Sequence, residues 1–322
     1  MEGLLERDLV VVTGKGGVGK TTLAASLALL ASERGARTIV VEVGDQRRVP
    51  ELFGVAPDGE PGAEVELAER LWATTIDPDR VLLEWVQELG GRIPGKVLAG
   101  SSTFQYFAAA APGAKELFAM VKVWELTQGK RWKRRARGYD LVILDAPATG
   151  HALGLLRSPQ TFGAIARVGP VAAQADRVQD LLGDRRRSAH VAVSHASEMA
   201  VSEAIELDGA LREALGRGLD AVLVNAVLPR RFSAQEMARI AKLDGADGSR
   251  SGGRRTARSD RELLRAAAHA AHSVHERARL QQNQVARLRR HELEVVSVPF
   301  LWGAALDRAA LARLAGQLDP RV

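Results

Sequence analysis

The sequence predicts an α/β fold, built on a mostly parallel sheet flanked by helices, with an inserted helical subdomain. Short apolar runs recur along the 322 residues, and most are continuously apolar rather than alternating, which is typical of strands buried on both faces. Segments with helical spacing separate these runs, and such crossovers join parallel strands. The predicted strands are residues 9–13, 38–43, 71–77, 139–147, 189–195, 219–227 and 293–299.

The composition narrows the class of protein. Apolar residues make up 46% of the chain, enough for a sizeable core, and the absence of cysteine excludes disulfides, thiolate metal sites and sulfur redox chemistry. The first residues, MEGLLERD, lack the apolar stretch of a signal peptide, and no apolar run reaches the roughly 18 residues that a membrane-spanning helix needs. A soluble, cytoplasmic protein is therefore expected.

The formal net charge of +6 could reflect an acidic partner, but arginine is spread along the whole chain. The densest basic run, KRWKRRAR at residues 130–137, is interpreted as the solvated end of a helix before a strand. Contact with nucleic acid, lipid head groups or a protein partner is the alternative interpretation of this run.

The first strand leads into a glycine-rich loop, and residues 23–31 after it have the pattern of a helix. In this strand–loop–helix context, TGKGGVGKTT matches the phosphate-loop pattern G-x-x-x-x-G-K-[ST]. Because glycine lacks a Cβ, the backbone N–H groups of the loop can approach phosphate oxygens closely, at the positive end of the following helix. The glycines of this predicted site are Gly14, Gly16, Gly17 and Gly19.

Side chains at the end of the loop add charge and metal-binding capacity. Lys20 supplies a positive charge for outer phosphates, and the hydroxyl of Thr21 suits a Mg²⁺ ligand. Thr22 follows them and completes the predicted nucleotide-binding set. Lys15 is a second lysine that a phosphate cradle does not need, and its place between two glycines puts its side chain outside the cradle of its own loop.

Two segments between strands are too long for one crossover helix. The first, 79–137, has helical patterns broken at a Pro-Gly pair and predicts a small helical subdomain. The second, 232–292, contains a helix, a polar and glycine-rich segment at 244–260 that predicts a mobile loop, and a long amphipathic helix. The predicted core domain consists of residues 1–78, 138–231 and 293–322.

Several segments together resemble one family. TGKGGVGKTT, with lysine at its second motif position, resembles the deviant Walker A loop of the SIMIBI class of dimeric P-loop ATPases. YDLVILDAPATGHALGLLRSP is similar to the switch II segment of the arsenite-pump ATPase ArsA and of the ATPases that target tail-anchored membrane proteins. PGAKELFAMVKVWE, IDP and LVNAVLP extend the resemblance to the C-terminus, towards single-domain bacterial and actinobacterial members. The resemblance implies a P-loop NTPase fold, a dimer, and the ligands ATP and Mg²⁺.

The resemblance also assigns roles to residues at matching positions. Lys20 would bind the β and γ phosphates, Thr21 would bind Mg²⁺, and Asp145 would hold Mg²⁺ through water, a role that its place at a strand end allows. Gly150 would sense the γ phosphate through its backbone. For Asp145, a helix N-cap or an ion-paired surface acid is the alternative.

The base and the subunit interface are assigned in the same way. Asn225 would hydrogen-bond adenine, with a turn asparagine as the alternative, and Pro299 and Phe300 belong to a loop that would line the base from the other side. Lys15 would reach across a dimer interface to the nucleotide of the other subunit and offset charge that develops during phosphoryl transfer.

The sequence departs from the family pattern after the second strand. The family's switch I carries an Asp-Pro pair whose aspartate positions the attacking water, but VVEVGDQRRVPELFG has no such pair, and Gly44 stands at that place. Asp45 and Glu42 are the nearest carboxylates, and they are the candidate catalytic bases. If neither acts, a nucleotide would be bound without turnover.

Cysteine is missing from places where relatives use it. ArsA senses arsenite through cysteines, and targeting ATPases of the eukaryotic type have a C-x-x-C zinc clasp, so neither property is expected here. HSVH places His272 and His275 on one helix face, where two subunits could supply four zinc ligands, with ordinary surface histidines as the alternative.

An apolar client would need an apolar groove. Large apolar side chains between residues 96 and 128 are the candidates for such a groove, and core packing is the alternative. These residues are Phe104, Phe107, Phe118, Met120 and Trp124.

The sequence thus favours a dimeric, Mg-ATP-dependent switch ATPase that handles an apolar protein segment or a membrane partner, and not arsenite. The dimer would be a homodimer or a heterodimer with a paralogue. One alternative is a non-catalytic nucleotide-binding subunit that works with an active paralogue. Another is a MinD- or ParA-like positioning ATPase on membrane or DNA, but the C-terminal LARLAGQLDPRV is only modestly amphipathic, and nucleic acid is a disfavoured partner.

Overall fold

The computed structural model describes residues 3–44, 47–56, 60, 62–90, 113–132, 136–165, 168–244, 255–303 and 305–322. At its centre lies one eight-stranded sheet. The strands are β1 (Leu9–Gly14), β2 (Thr38–Val43), β3 (Val65–Ala68), β4 (Leu71–Ile76), β5 (Leu141–Ala148), β6 (Ser188–His195), β7 (Ala221–Val227) and β8 (Val295–Pro299).

The strands lie in the order β3-β4-β2-β5-β1-β6-β7-β8, and every neighbouring pair except β3 with β4 is parallel. The predicted α/β fold with a mostly parallel sheet is therefore confirmed, and each predicted strand is present. Strand β3 was not predicted. Its sequence, VELA, is four residues long and too short to show a strand pattern, so its pairing with β4 at the sheet edge defines it.

Helices cover both faces of the sheet. Leu9 and Val11 of β1 belong to one core cluster, and Val10 and Val12 belong to the other, because successive residues of a strand point to opposite faces. Burial on both faces is the physical reason for the continuous apolar runs. The helices are α1 (Lys20–Glu33), α2 (Arg48–Leu52), α3 (Pro78–Gly90), α4 (Ala114–Leu126), α5 (Thr149–Ile165), α6 (Pro170–Gly183), α7 (Glu198–Leu215), α8 (Ala234–Asp244), α9 (Arg255–Arg290) and α10 (Arg308–Leu318).

The first insertion contributes α3 and α4 to the core. Phe118 and Met120 on α4 are buried in the cluster that covers the sheet, so the groove interpretation is wrong for these two residues and the core interpretation is right. Trp124 is half-buried, with the guanidinium carbon of Arg177 5.7 Å from its ring centroid. The other two groove candidates, Phe104 and Phe107, lie outside the described residues.

The second insertion contains α8 and the 36-residue helix α9. Helix α9 begins at Arg255, so residues 255–260 are helical. The mobile loop that the polar composition predicts for 244–260 is therefore wrong over these residues. These six residues contain neither glycine nor proline, which removes the local obstacle to a helix. No helix in the described ranges is long and apolar enough to cross a membrane.

The basic run at 130–137 is not a solvated surface throughout. The side chain of Arg131 is 1% exposed, and it donates to Glu125 at 2.6 Å and to Glu64 at 2.7 Å. The hydroxyl of Tyr139 also donates to Glu64 at 2.7 Å. Two carboxylates therefore offset the cost of burying this guanidinium and join α4 to the chain that enters β3. The solvated-helix interpretation of the run is wrong at Arg131.

Candidate functional site

The phosphate loop lies between β1 and α1, and neighbouring strands constrain its backbone. Gly14 has a φ of 142°, and a Cβ at this position would overlap the carbonyl oxygen of Val193 on β6. Gly19 has a φ of 92°, and a Cβ there would overlap the side-chain amide of Asn225 on β7. Glycine satisfies both the positive φ and the close approach. The loop therefore curls at the carboxyl edge of the strands, where open α/β sheets bind ligands.

Thr21, Asp145 and Lys20 lie together at the start of α1. The Thr21 hydroxyl donates to Oδ2 of Asp145 at 2.6 Å, while Oδ1 of Asp145 is buried and has no hydrogen-bond partner among the described residues. The Lys20 ammonium donates to the carbonyl oxygen of Lys15 at 3.1 Å. A hydroxyl oxygen next to an unpartnered carboxylate oxygen suits Mg²⁺, so these residues fit the predicted metal.

Burial acts on both charged groups of this cluster. It raises the pKa of the Asp145 carboxyl, against the hydrogen bond from Thr21 and the charge of Lys20. It lowers the pKa of the Lys20 ammonium, against the charge of Asp145. A cation next to Asp145 and an anion next to Lys20 would each favour the charged form, which is what Mg²⁺ and a phosphate supply.

Two cavities flank Lys20 and Thr21, with volumes of about 360 and 470 Å³. The larger one is also lined by Gly17, Gly19 and Thr22 of the predicted nucleotide site. The smaller one is also lined by Glu42, Val43, Gly44, Arg48, Asp145, Ala146, Pro147 and Ala148. Gly16 is exposed in the loop, and Gly150 lies in the first turn of α5, just after the wall of the smaller cavity. These volumes are within the range of small-molecule sites.

Glu42, at the end of β2, is one of the two predicted bases and lies opposite Asp145 in the sheet. Glu42 is 5% exposed, and its carboxylate accepts the backbone N–H of Arg48 at 2.9 Å and of Val49 at 3.3 Å. Burial raises the pKa of Glu42 to about 7, against these two hydrogen bonds. The residue thus caps α2 and lines the smaller cavity at once. Asp45, the other predicted base, lies outside the described residues.

Lys15 has a partner within its own chain. Its ammonium lies 2.5 Å from Oε1 of Glu203 on α7, and the two side chains are 34% and 32% exposed. Helix α7 follows β6, which pairs with β1, so the sheet topology brings Glu203 to the loop. Sequence reasoning missed Glu203, because residues 188 positions apart show no common motif.

Asn225 holds the phosphate loop to β7. Its amide donates to the carbonyl oxygen of Val18 at 2.9 Å, and its Oδ1 accepts from the backbone N–H of Ala226, which has a φ of 57°. Asn225 and Phe300 also line a third cavity, of about 770 Å³. Pro299 ends β8 next to this cavity. The residues predicted to surround the adenine base therefore lie together. Asn225 also fixes the turn at Ala226, which is the structural role that its alternative interpretation, a turn asparagine, gives it.

Helix α9 and the segment after β8 supply residues that the sequence did not indicate. Gln281 of α9 accepts from the backbone N–H of Leu228 at 2.8 Å and donates to the carbonyl of Ala226 at 3.2 Å, which fixes the chain after β7. Trp302 packs edge-on against Phe300, with ring centroids 4.9 Å apart. The Gln281 contacts thus join α9 to the end of β7, and Gln281, Phe300 and Trp302 all line the third cavity. Within the described residues, no group of three or more His, Asp or Glu side chains is placed to hold a metal. A zinc site that takes His272 and His275 from each of two chains stays a prediction.

The fold and the site define the class of protein. A parallel sheet, a glycine loop between β1 and α1, and a lysine, a hydroxyl and a carboxylate at its end are the parts of a P-loop nucleotide-hydrolysing enzyme. The family model described as "Anion-transporting ATPase" matches residues 7–172. The chain therefore belongs to the anion-transporting ATPase (ArsA) family, and it is an ATPase.

Individual relatives agree with this assignment. ATPase BagA of Mycobacterium tuberculosis is 30% identical over 240 residues, which cover 73% of this chain and 69% of the relative. ATPase get3 of Schizosaccharomyces pombe is 29% identical over 201 residues, covering 57% and 58% of the two chains. A protein of Prosthecochloris vibrioformis, provisionally named an arsenical pump-driving ATPase, is 27% identical over 264 residues, covering 68% and 61%.

Proposed function

We propose that the protein is a dimeric, Mg-ATP-dependent switch, in which ATP binding draws two chains together and hydrolysis releases them. The second chain is another copy or a paralogue. The observation that carries this proposal is the place of the Lys15 ammonium, whose side chain is 34% exposed beside a phosphate cradle that already has Lys20. Its ion pair with Glu203 of the same chain would open when the facing nucleotide binds. The nucleotide of a facing chain is a partner of the right charge for that ammonium.

The chain's own residues divide the work of the reaction. Loop N–H groups and Lys20 bind the phosphates, and Thr21 and Asp145 hold Mg²⁺, which neutralises phosphate charge when bound. Lys15 of the facing chain offsets the negative charge that develops on the phosphate oxygens in the transition state. Glu42 or Asp45 orients a water that attacks the γ phosphorus, so that the bond between the β and γ phosphates breaks and ADP and phosphate leave.

The partner that we propose is an apolar protein segment or a membrane protein. The resemblance to the ATPases that target tail-anchored membrane proteins supports this class. Arsenite bound through thiolates is disfavoured because the sequence has no cysteine. The family assignment favours an enzyme over the non-catalytic subunit that the sequence also allows.

Light scattering with Mg²⁺ and a non-hydrolysable ATP analogue tests the dimer, with the protein alone and mixed with a paralogue from the same genome. Phosphate release in the same mixtures tests turnover. Lys20→Ala is the matched negative control, expected to lose most ATP affinity and to keep its fold, because the Lys20 ammonium lies at the loop, where its hydrogen bond is to the carbonyl oxygen of Lys15. Protein that stays monomeric in every mixture overturns the dimeric switch, and unchanged nucleotide binding by Lys20→Ala overturns the site.

The client class and the positioning alternative are tested with the same analogue-bound protein. It should keep a fluorescent apolar helical peptide in solution, and release it when ATP replaces the analogue and is hydrolysed. Salt-dependent binding to duplex DNA or to anionic vesicles, with no effect on the peptide, would instead favour a MinD- or ParA-like positioning ATPase.

A further inference from the structure

Arg48 is a cationic residue at the phosphate site that the motif does not include. It begins α2, in the segment after β2 where the family's Asp-Pro pair is missing. Its side chain is exposed, and Arg48 lines both cavities that flank Lys20 and Thr21. The cationic residues Lys20 and Arg48 thus line both of the cavities in which a phosphate chain would lie.

The guanidinium of Arg48 is available for a ligand. Within the part of the chain that the structure describes, it has no hydrogen bond or ion pair to a protein group, whereas the buried guanidinium of Arg131 is held by Glu125 and Glu64. The charge of Arg48 is nevertheless close enough to act on the site. Burial is the main cause of the lowered pKa of Lys20, and the charge of Arg48 adds to it, while the same charge lowers the pKa of Asp145 against the effect of burial.

The backbone of Arg48 is held in place although its side chain is not. Its N–H donates to the buried carboxylate of Glu42 at 2.9 Å, and the neighbouring Val49 is fully buried in the core cluster that contains α1. These two anchors fix the first turn of α2 against the smaller cavity. Glu42 is therefore also a positioning residue, because it determines where Arg48 leaves the backbone.

We infer that Arg48 contacts the γ phosphate of ATP bound in the same chain, and that this contact makes the site distinguish ATP from ADP. The inference rests on the nucleotide site of the proposed function. A guanidinium presents a planar set of donors that matches phosphate oxygens in a bidentate arrangement, and its charge is permanent. Lys20 is the lysine of the P-loop motif and serves the inner phosphates as well, whereas Arg48 lies outside that loop, at the start of α2, so we assign it to the outermost phosphate.

Calorimetry of Arg48→Ala with ADP and with a non-hydrolysable ATP analogue, each with and without Mg²⁺, tests the inference without relying on turnover. We expect affinity for the ATP analogue to fall by roughly 10- to 100-fold, the usual effect of losing a charge-assisted hydrogen bond, and affinity for ADP to change less than about threefold. Arg48→Lys keeps the charge without the planar donors and should recover part of the loss.

Arg47→Ala is the matched control, since it removes the same charge from the adjacent position, and Arg47 lines neither of the two cavities beside Lys20. It should leave the affinity ratio between the two ligands unchanged. Equal weakening of both ligands by Arg48→Ala, an equal effect of Arg47→Ala, or no effect of either variant overturns the inference. Lys20→Ala separates a failure of this inference from a failure of the proposed function. If that variant binds nucleotide as wild type does, the assigned nucleotide site itself is wrong. Thermal melting confirms that each variant is folded.

Discussion

At the scale of single residues, Glu42 combines a structural and a chemical role. Its buried carboxylate caps α2 through Arg48 and Val49, and it also lines the cavity that contains Lys20 and Asp145. Burial raises the pKa of Glu42 to about 7. A carboxyl group with a pKa near the working pH can both accept and return a proton, as a general base must.

Glu42→Gln separates these two roles. The amide oxygen of glutamine still accepts the N–H of Arg48, so α2 should stay in place, but it cannot accept the proton of a water molecule. We expect kcat to fall roughly 100-fold or more, with affinity for an ATP analogue kept within about tenfold, as measured by phosphate release and calorimetry. Glu69→Gln, at an exposed turn, is the control. A full rate in Glu42→Gln would leave Asp45 as the remaining candidate base.

The ion pair between Lys15 and Glu203 bears on association. Both side chains are about one-third exposed, and such a pair contributes only about 0–1 kcal/mol, so a facing nucleotide can displace it but must still compete with it. Glu203→Gln should therefore strengthen association in the presence of an ATP analogue by up to roughly fivefold. Sedimentation equilibrium measures this, with Glu206→Gln, exposed one turn further along α7, as the control. Weaker association would mean that Glu203 itself contacts the facing chain.

At the scale of elements, β6 contains a buried titratable group in the middle of the sheet. His190 is fully buried, and its Nε2 donates to the carbonyl oxygen of Leu182 at 3.1 Å. Burial and the neighbouring charge of Arg217 lower the pKa of His190 well below its usual range, against the charge of Asp220. The folded protein therefore keeps His190 neutral at pH values where an unfolded chain already binds a proton.

This difference makes stability depend on pH. The unfolded state binds more protons than the folded state below about pH 6.5, so the free energy of unfolding should fall as the pH decreases from there, by up to about 1.4 kcal/mol per pH unit. Thermal melting between pH 7.5 and 5.5 measures the slope. His190→Gln should flatten it, whereas His269→Gln, exposed on α9, should not. An unchanged slope in His190→Gln would assign the acid sensitivity to other groups.

The elements that the sequence predicts are those whose pattern is local. Strands buried on both faces need continuous apolar runs, and the phosphate loop needs its glycines in fixed spacing, so both are visible locally. Strand β3 and the burial of Arg131 depend on partners elsewhere in the chain, namely β4, Glu125 and Glu64. Glu203 and Arg48 join the site through sheet topology and through a cap on α2. Contacts of this kind have no spacing rule, and no motif includes them.

At the scale of the whole molecule, the site residues lie together at the edge of the sheet that the carboxyl ends of the parallel strands form. The phosphate loop follows β1, Glu42 ends β2, Asp145 lies near the end of β5, and Asn225 lies on β7, so parallel strands deliver every group to the same edge. The ammonium of Lys15 lies at the surface next to this edge, paired with α7. A second chain that covers this edge would meet the phosphate site and Lys15 together, which a partner bound at the opposite edge could not do.

This placement leads to a prediction for Lys15. Lys15→Arg keeps the positive charge and can still pair with Glu203, but its wide planar group should fit poorly in a phosphate site already occupied by Lys20 of the facing chain. Lys15→Ala removes the charge altogether. Both variants should bind ATP within roughly tenfold of wild type, about 1.4 kcal/mol, because the cradle of their own loop is intact, yet both should lose ATP-dependent association or turnover. Light scattering and phosphate release measure these effects, with Lys242→Ala, exposed on α8, as the control. If the Lys15 variants associate and turn over ATP as wild type does, then Lys15 makes no contact between chains, and the dimeric mechanism loses the observation on which it rests.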